Sequence, residues 1–198
     1  MKDELYNLKK GDLDQDEEVL VKQAIEGDAK AFGLIYDKYQ PSIFRFIYLK
    51  VGHREEAEDL THQTFLSAWQ SIGEFQQRNL PISSWLYRIA RNKVIDYYRT
   101  RKMTLELEKN DQESEENLAT NPFESLSQKM SLEIVEKALR LLPPHYQDVL
   151  IMRFVEEMSY KEISQVIGKS QGLIRVIQFR ALKKIKKIIE ENEKKRDN

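Results

Sequence analysis

Apolar residues recur at helical spacing along most of the chain, and no stretch alternates with the period of two that a half-buried strand needs. Asp28 is placed to N-cap a helix from Ala29 to Tyr39, with Gly27 closing the helix before it. Pro41 fits the first turn of a following helix, where its missing N–H costs nothing, and Gly52 ends that helix. A long helix is predicted from about Arg54 to Ile72, with Leu60, Thr64, Phe65, Ala68 and Trp69 on its packed side. Ser83 or Ser84 begins another, whose Trp85, Leu86, Ile89 and Ala90 share a face. Four more helices are predicted near 131–142, 144–155, 159–167 and 170–190. Pro143 and Pro144 separate the first two, a Ser159–Glu162 capping box opens the third, Gly168 closes it, and Ser170 caps the fourth. The fold class is all-α.

Between these two runs of helices lies segment 103–130, acidic, poor in aromatics and without sustained periodicity, which reads as a linker. The chain then divides into an acidic tail (1–16), a helical domain (17–102), the linker, a second helical domain (131–191) and a charged tail (192–198). Composition agrees: 33% of the 198 residues are charged, and 7 glycines and 5 prolines are too few for a loop-rich β-sandwich. The absence of cysteine excludes disulfides, cysteine-ligated zinc and a thiol nucleophile. No apolar run approaches the roughly 20 residues of a membrane span, and the start, MKDELYNLKKGDLDQDEE, is too polar for a signal peptide. A cytoplasmic protein with no membrane segment of its own is expected.

The formal net charge of -1 hides a segregation that changes the picture. Segment 1–20 is acidic. Segment 85–102 is basic through Arg88, Arg91, Lys93, Arg99, Arg101 and Lys102 against Asp96 alone. Segment 103–130 is acidic again. Segment 169–187 carries Lys169, Arg175, Arg180, Lys183, Lys184, Lys186 and Lys187 with no acid. Two basic blocks inside helical patterns, held apart by an acidic one, point to two separate contacts with a polyanion.

The second block belongs to a helix-turn-helix pattern, SYKEISQVIGKSQGLIRVIQFRAL over 159–182. Ile163 with Val166 or Ile167 faces the core, Ser164 is small where two helices cross, and Ile174, Ile177 and Ala181 hold the second helix to the first. Gln171, Arg175 and Gln178 are left on an outward face that can reach base edges or phosphates, and the lysines from Lys183 onward extend it along the DNA backbone.

Two stretches carry a family resemblance. EEAEDLTHQTFLSAWQSIGEF followed by SSWLYRIARNKVIDYYRTRK resembles region 2 of sigma-70-family factors, and LPPHYQDVLIMRFVEEMSYKEISQVIGKSQGLIRVIQFRALKKIKK resembles region 4. Their order, spacing and lack of a middle domain resemble the extracytoplasmic-function (ECF) subfamily. The resemblance implies that Asp59, His62, Gln63 and Leu66, which share one helical face, dock on the clamp helices of the largest subunit of core RNA polymerase. His62 and Gln63 stand where Gln-Glu is more usual. It implies that Arg88, Arg91, Asn92, Tyr98, Arg99 and Lys102, with the loop from Phe75 to Pro81, hold the opened −10 strand. Tyr97, Trp85 and Tyr87 are further stacking candidates, with the spacing of Trp85 favouring a core place over stacking, and Asp96 orients Asn92 or Arg99. The −35 readers are Lys169, Ser170, Gln171, Arg175, Val176, Gln178 and Lys183, with the polymerase flap as that domain's protein partner. Val176 replaces a residue that is usually polar, which suggests contact with a thymine methyl or, with Phe179, packing on an inhibitor or on the other domain. The linker either threads the polymerase or serves as a tether.

The function implied is transcription initiation: recruiting core polymerase to promoter DNA and stabilising promoter opening. An anti-sigma factor is an implied partner; no cofactor, metal site or catalytic residue is implied. His53, His62 and His145 are scattered, and no glycine-rich phosphate loop is present, so the chain reads as a non-enzyme. The rival reading is a helix-turn-helix activator whose N-terminal half senses a ligand or dimerises.

Overall fold

The computed structural model describes residues 17–75, 80–108 and 126–196, and these residues form helices with no strand among them. In chain order they are α1 (17–25), α2 (Ala29–Val51), α3 (Arg54–Ser71) with a 3-10 turn at Ile72–Glu74, α4 (Ile82–Glu108), α5 (Leu126–Arg140), α6 (Pro144–Leu150) ending in a π-turn at Ile151–Val155, α7 (Tyr160–Ile167) and α8 (Gln171–Arg196).

The helix ends form where local chemistry dictates. The Asp28 carboxylate accepts from the backbone N–H of Lys30 at 2.8 Å and of Ala31 at 3.3 Å, satisfying first-turn donors that have no partner within the helix. Ser159 and Glu162 complete the reciprocal capping box at α7, with bonds of 2.7 and 3.2 Å. Ser170 accepts from Leu173 N–H at the start of α8. Gly52 ends α2 at φ 78°, a left-handed conformation that any side chain would strain. A Cβ there would also lie 3.1 Å from Arg140 Cδ. Gly52→Ala is therefore expected to cost about 1–2 kcal/mol in denaturant melts, while Gly73→Ala, which meets open space, should be close to neutral.

The predicted break at Pro41 does not occur. Pro41 lies inside the continuous helix α2, although an interior proline removes one backbone bond and costs about 3 kcal/mol. Ile35 on one side and Ile43, Phe46 and Ile47 on the other are each at most 1% exposed, so core packing holds both halves on one axis. The Ser42 hydroxyl donates to the Tyr39 carbonyl at 2.9 Å beside the proline. Helix also enters the acidic segment from both ends, to Glu108 and from Leu126, leaving 109–125 outside the described residues.

Helices α1–α4 pack around Val21, Ile35, Phe46, Leu60, Phe65, Leu86 and Val94, and α5–α8 around Leu150, Ile151, Met152, Ile163, Ile174 and Ala181. The two groups pack directly on each other. Their buried apolar residues form one continuous cluster, and α4 meets α7 while α2 meets α5.

Candidate nucleic-acid interface

On α3, Ala57, Leu60, Thr61, Thr64, Phe65 and Ala68 are buried, and the two threonine hydroxyls donate to the carbonyls one turn back. That orientation leaves Asp59, His62, Gln63 and Leu66 together on the exposed side, with Leu66 57% exposed. Trp69, expected on the packed side, reaches the edge instead: its ring meets Phe32 at 5.0 Å, yet 37% of it stays exposed.

The basic face of α4 is divided. Asn92, Asp96, Tyr98 and Arg99 are exposed, and Asp96 pairs with Arg99 at 3.0 Å, as its position suggested. Tyr97 packs edge-on against Tyr98, and the Tyr98 hydroxyl donates to the Lys50 carbonyl at 2.6 Å. Burial pushes the Tyr98 phenol above its usual pKa. Trp85 is half-buried against Phe75 at 4.9 Å. Tyr87 is no stacking platform: it is 4% exposed, packs edge-on to Phe46, and donates its hydroxyl to Glu156 at 2.8 Å. The Lys102 side chain and loop residues 76–79 lie outside what is described.

Arg88 and Arg91 face the other domain. Arg91 Nε donates to Asp148 Oδ2 at 2.7 Å, and Arg88 donates to the Gln165 carbonyl at 2.5 Å. Asp148 Oδ1 takes the ammonium of Lys50, and the two side chains are 2% and 1% exposed. Burial pulls the Lys50 ammonium below its usual pKa, against the opposing pull of Asp148. Beside them the Arg45 guanidinium grips Glu156 with two bonds, 2.8 and 2.7 Å, and that bidentate contact raises the Arg45 pKa. Glu156 follows the π-turn, a widened turn often found at functional positions. Arg45, Lys50, Asp148 and Glu156 were not among the residues the sequence singled out. The available signal was a charge on a core stripe: Lys50 follows Ile43 and Phe46 by seven and four residues, and Asp148 precedes Ile151 and Met152 by three and four.

In the helix-turn-helix, Ile163, Val166, Ile174 and Ala181 are buried, and Ile167 and Ile177 half-buried. Ser164 does more than stay small: its hydroxyl donates to the Lys169 carbonyl at 2.6 Å, stapling the turn around Gly168. Lys169, Ser170, Gln171, Arg175, Val176 and Lys183 are exposed on the outer side. The Arg175 guanidinium lies over the Tyr160 ring at 4.6 Å, a cation–π contact that aims it. Gln178 departs from the outward reading. It is half-buried, with Oε1 enclosed and unbonded, because its position on α8 borders the Ile174–Ala181 stripe. Val176 and Phe179 do not pack on the other domain; they are 43% and 71% exposed.

Residues 35–104 match sigma-70 region 2 and residues 138–187 match sigma-70 region 4. The chain is 34% identical over 170 residues to the ECF RNA polymerase sigma factor BldN of Streptomyces coelicolor, covering 86% of this chain and 64% of that protein's length. It is 30% identical over 169 residues to the ECF RNA polymerase sigma factor SigW of Bacillus subtilis, covering 78% of this chain and 87% of that one. Its fold is shared with the sigma factor RpoE from Bartonella quintana, solved in complex with the anti-sigma factor NepR, at a TM-score of 0.66 and 23% identity over 82% of this chain and 98% of that one. Two regions matched in order, on a helical frame with a helix-turn-helix at its C-terminal end, place this chain in the ECF family of RNA polymerase sigma factors.

Proposed function

We propose that this chain binds core RNA polymerase through the exposed α3 face, reads duplex −35 DNA with α8, and holds the opened −10 strand on α4. The observation that carries this reading is the α8 surface: a capped helix whose outer side carries Arg175 and Lys183, with Lys169 exposed in the turn before it, while its inner side is held by Ile174 and Ala181. A helix so presented fits the major groove, with lysines and arginines neutralising phosphates and a few side chains reading base edges. On α4, exposed Asn92, Tyr98 and Arg99 offer hydrogen bonding, an aromatic surface and a cation to an unpaired strand. Trapping that strand offsets the few kcal/mol that unpairing costs. Phosphodiester synthesis is the polymerase's work; this chain supplies selection. An anti-sigma factor is its inhibitory partner, and Val176 with Phe179 gives such a protein an apolar foothold when DNA is absent. Among the described residues, no helix is long and apolar enough to cross a membrane.

Transcription of a promoter library by core polymerase, with and without the purified chain, tests the reading. Defined start sites should appear only with the chain. Sequence-specific footprints on duplex DNA without polymerase, and no start-site selection with it, would instead identify an activator. Within the library, Val176→Ser should weaken preference for one −35 thymine by about fourfold, the worth of one buried methyl at about 0.8 kcal/mol. An unchanged base preference would remove Val176 from the readout.

A further inference from the structure

Four cations of the N-terminal half converge on acceptors of the C-terminal half. Arg45 and Lys50 come from α2, Arg88 and Arg91 from α4. Asp148 takes Lys50 and Arg91, Glu156 takes Arg45, and a backbone carbonyl takes Arg88. The arrangement resembles an interrupted polyanion site. Each carboxylate presents two oxygens to donors from separate side chains or to a guanidinium fork, the geometry a phosphate group presents. Only two negative charges face four positive ones, so the cations remain under-neutralised in the closed form. A strand carrying one charge per nucleotide would neutralise more of them.

We propose that Arg45, Lys50, Arg88 and Arg91 form one phosphate track for the opened promoter strand, occupied in the closed protein by Asp148 and Glu156 as carboxylate stand-ins. Lys50 and Arg45 thereby become DNA contacts, and the C-terminal domain becomes an intramolecular competitor for the strand. The composition of the contact fits a reversible seal. An interface meant only to be permanent is better served by apolar residues, because a buried ion pair barely repays its desolvation. Charged groups at 1% and 2% exposure instead hold the halves together while leaving each able to be hydrated when they part. Closure also engages selectively: Arg88, though still exposed, and half-buried Arg91 are bonded to the other domain, whereas Arg99 pairs with Asp96 on its own helix. This inference rests on the assignment of α4 to the unpaired strand.

The test uses the full chain and a short single-stranded oligonucleotide. Asp148→Asn and Glu156→Gln keep shape and hydrogen-bonding capacity while removing the competing charge. The double variant should bind the oligonucleotide about tenfold more tightly than the parent. Its log K against log salt should steepen by ~1.4, the release expected for two further phosphates on a single strand. Each single variant should show part of the gain. Adding Lys50→Gln to the double variant should return the salt slope by ~0.7. Because the chain has no cysteine, dyes on Lys30→Cys and Lys161→Cys, both exposed, should report lower energy transfer in the double variant. Equal affinity and slope in parent and folded double variant would overturn the competition, and a triple variant indistinguishable from the double would remove Lys50 from the track. A chain that directs initiation in the promoter library but shows neither change keeps the proposed function and loses this inference. Gain on single strands without any initiation does the reverse.

Discussion

Asp148→Ala is expected to take about 3–5 kcal/mol from the closed arrangement, the usual cost of breaking a buried pair from one side. The reason lies in what remains. Lys50 is 1% exposed and would face the interface with no counter-charge, and Arg91, 23% exposed, would lose its acceptor. A lysine enclosed without a partner either loses its proton or regains water. Regaining water is the easier course here, because the α2–α6 side of the pair is a contact between two domains and not the centre of either. The loss should therefore appear as separation of the halves before either unfolds: a single denaturant transition in the parent, two in the variant. The companion double variant Lys50→Met/Asp148→Leu removes both charges at similar volume and should recover most of the loss, leaving Arg91 to turn toward solvent. If Asp148→Ala melts in one transition at the parent's midpoint, the ionic contact does not hold the domains.

What the residues revealed beforehand divides along the same line. Asp28, the Ser159–Glu162 box and the left-handed Gly52 and Gly168 were legible because each acts within a few residues, and a cap has the same meaning in any tertiary setting. Pro41 was not, because its local preference for a first turn is weaker than the packing of Ile35, Ile43 and Phe46 across it. The buried stripes of α3 and α8 follow from periodicity, and with them the exposed placement of Asp59, His62, Gln63, Leu66, Gln171 and Arg175.

Pairing across the domains was beyond that reach. Lys50 and Asp148 are 98 residues apart, and helical periodicity says which face a residue occupies but not what that face meets. Hence periodicity gives no sign that exposed Arg88 and half-buried Arg91 each meet an acceptor of the other domain, or that the Tyr87 ring is core and not a stacking surface. Gln178 failed for a smaller reason: at the border of a stripe, one helical position decides between groove and core. The overlooked acids belong to one pattern, carboxylates on or beside an apolar turn, and such residues remain in place only where a cation meets them.

The α3 face carries the second large effect. Leu66→Asp should lower affinity for core polymerase by about 30- to 1,000-fold, or 2–4 kcal/mol, the range of a central apolar anchor. Leu66 is 57% exposed in the free chain; one exposed leucine is ordinary by itself, and its place on the face shared with Asp59, His62 and Gln63 makes it the apolar centre of the proposed contact. Its exposed neighbours Asp59, His62 and Gln63 supply a polar margin on the same side of the helix. Covering Leu66 would gain apolar burial, whereas an aspartate there would have to be desolvated without a partner. Asp59→Asn should act differently, slowing association and flattening its salt dependence while changing dissociation little, as charges at the rim of an interface do. Stability separates this reading from a folding defect. Little packing is lost at a position 57% exposed, so the unfolding free energy of Leu66→Asp from denaturant melts should differ from the parent's by less than about 0.5 kcal/mol. Gel filtration of the chain with core polymerase reads the loss directly, and run-off transcription should fall in proportion. A Leu66→Asp chain that assembles and initiates like the parent would mean that the polymerase contacts another face, and α1 or the outer side of α2 would then be the surface to probe.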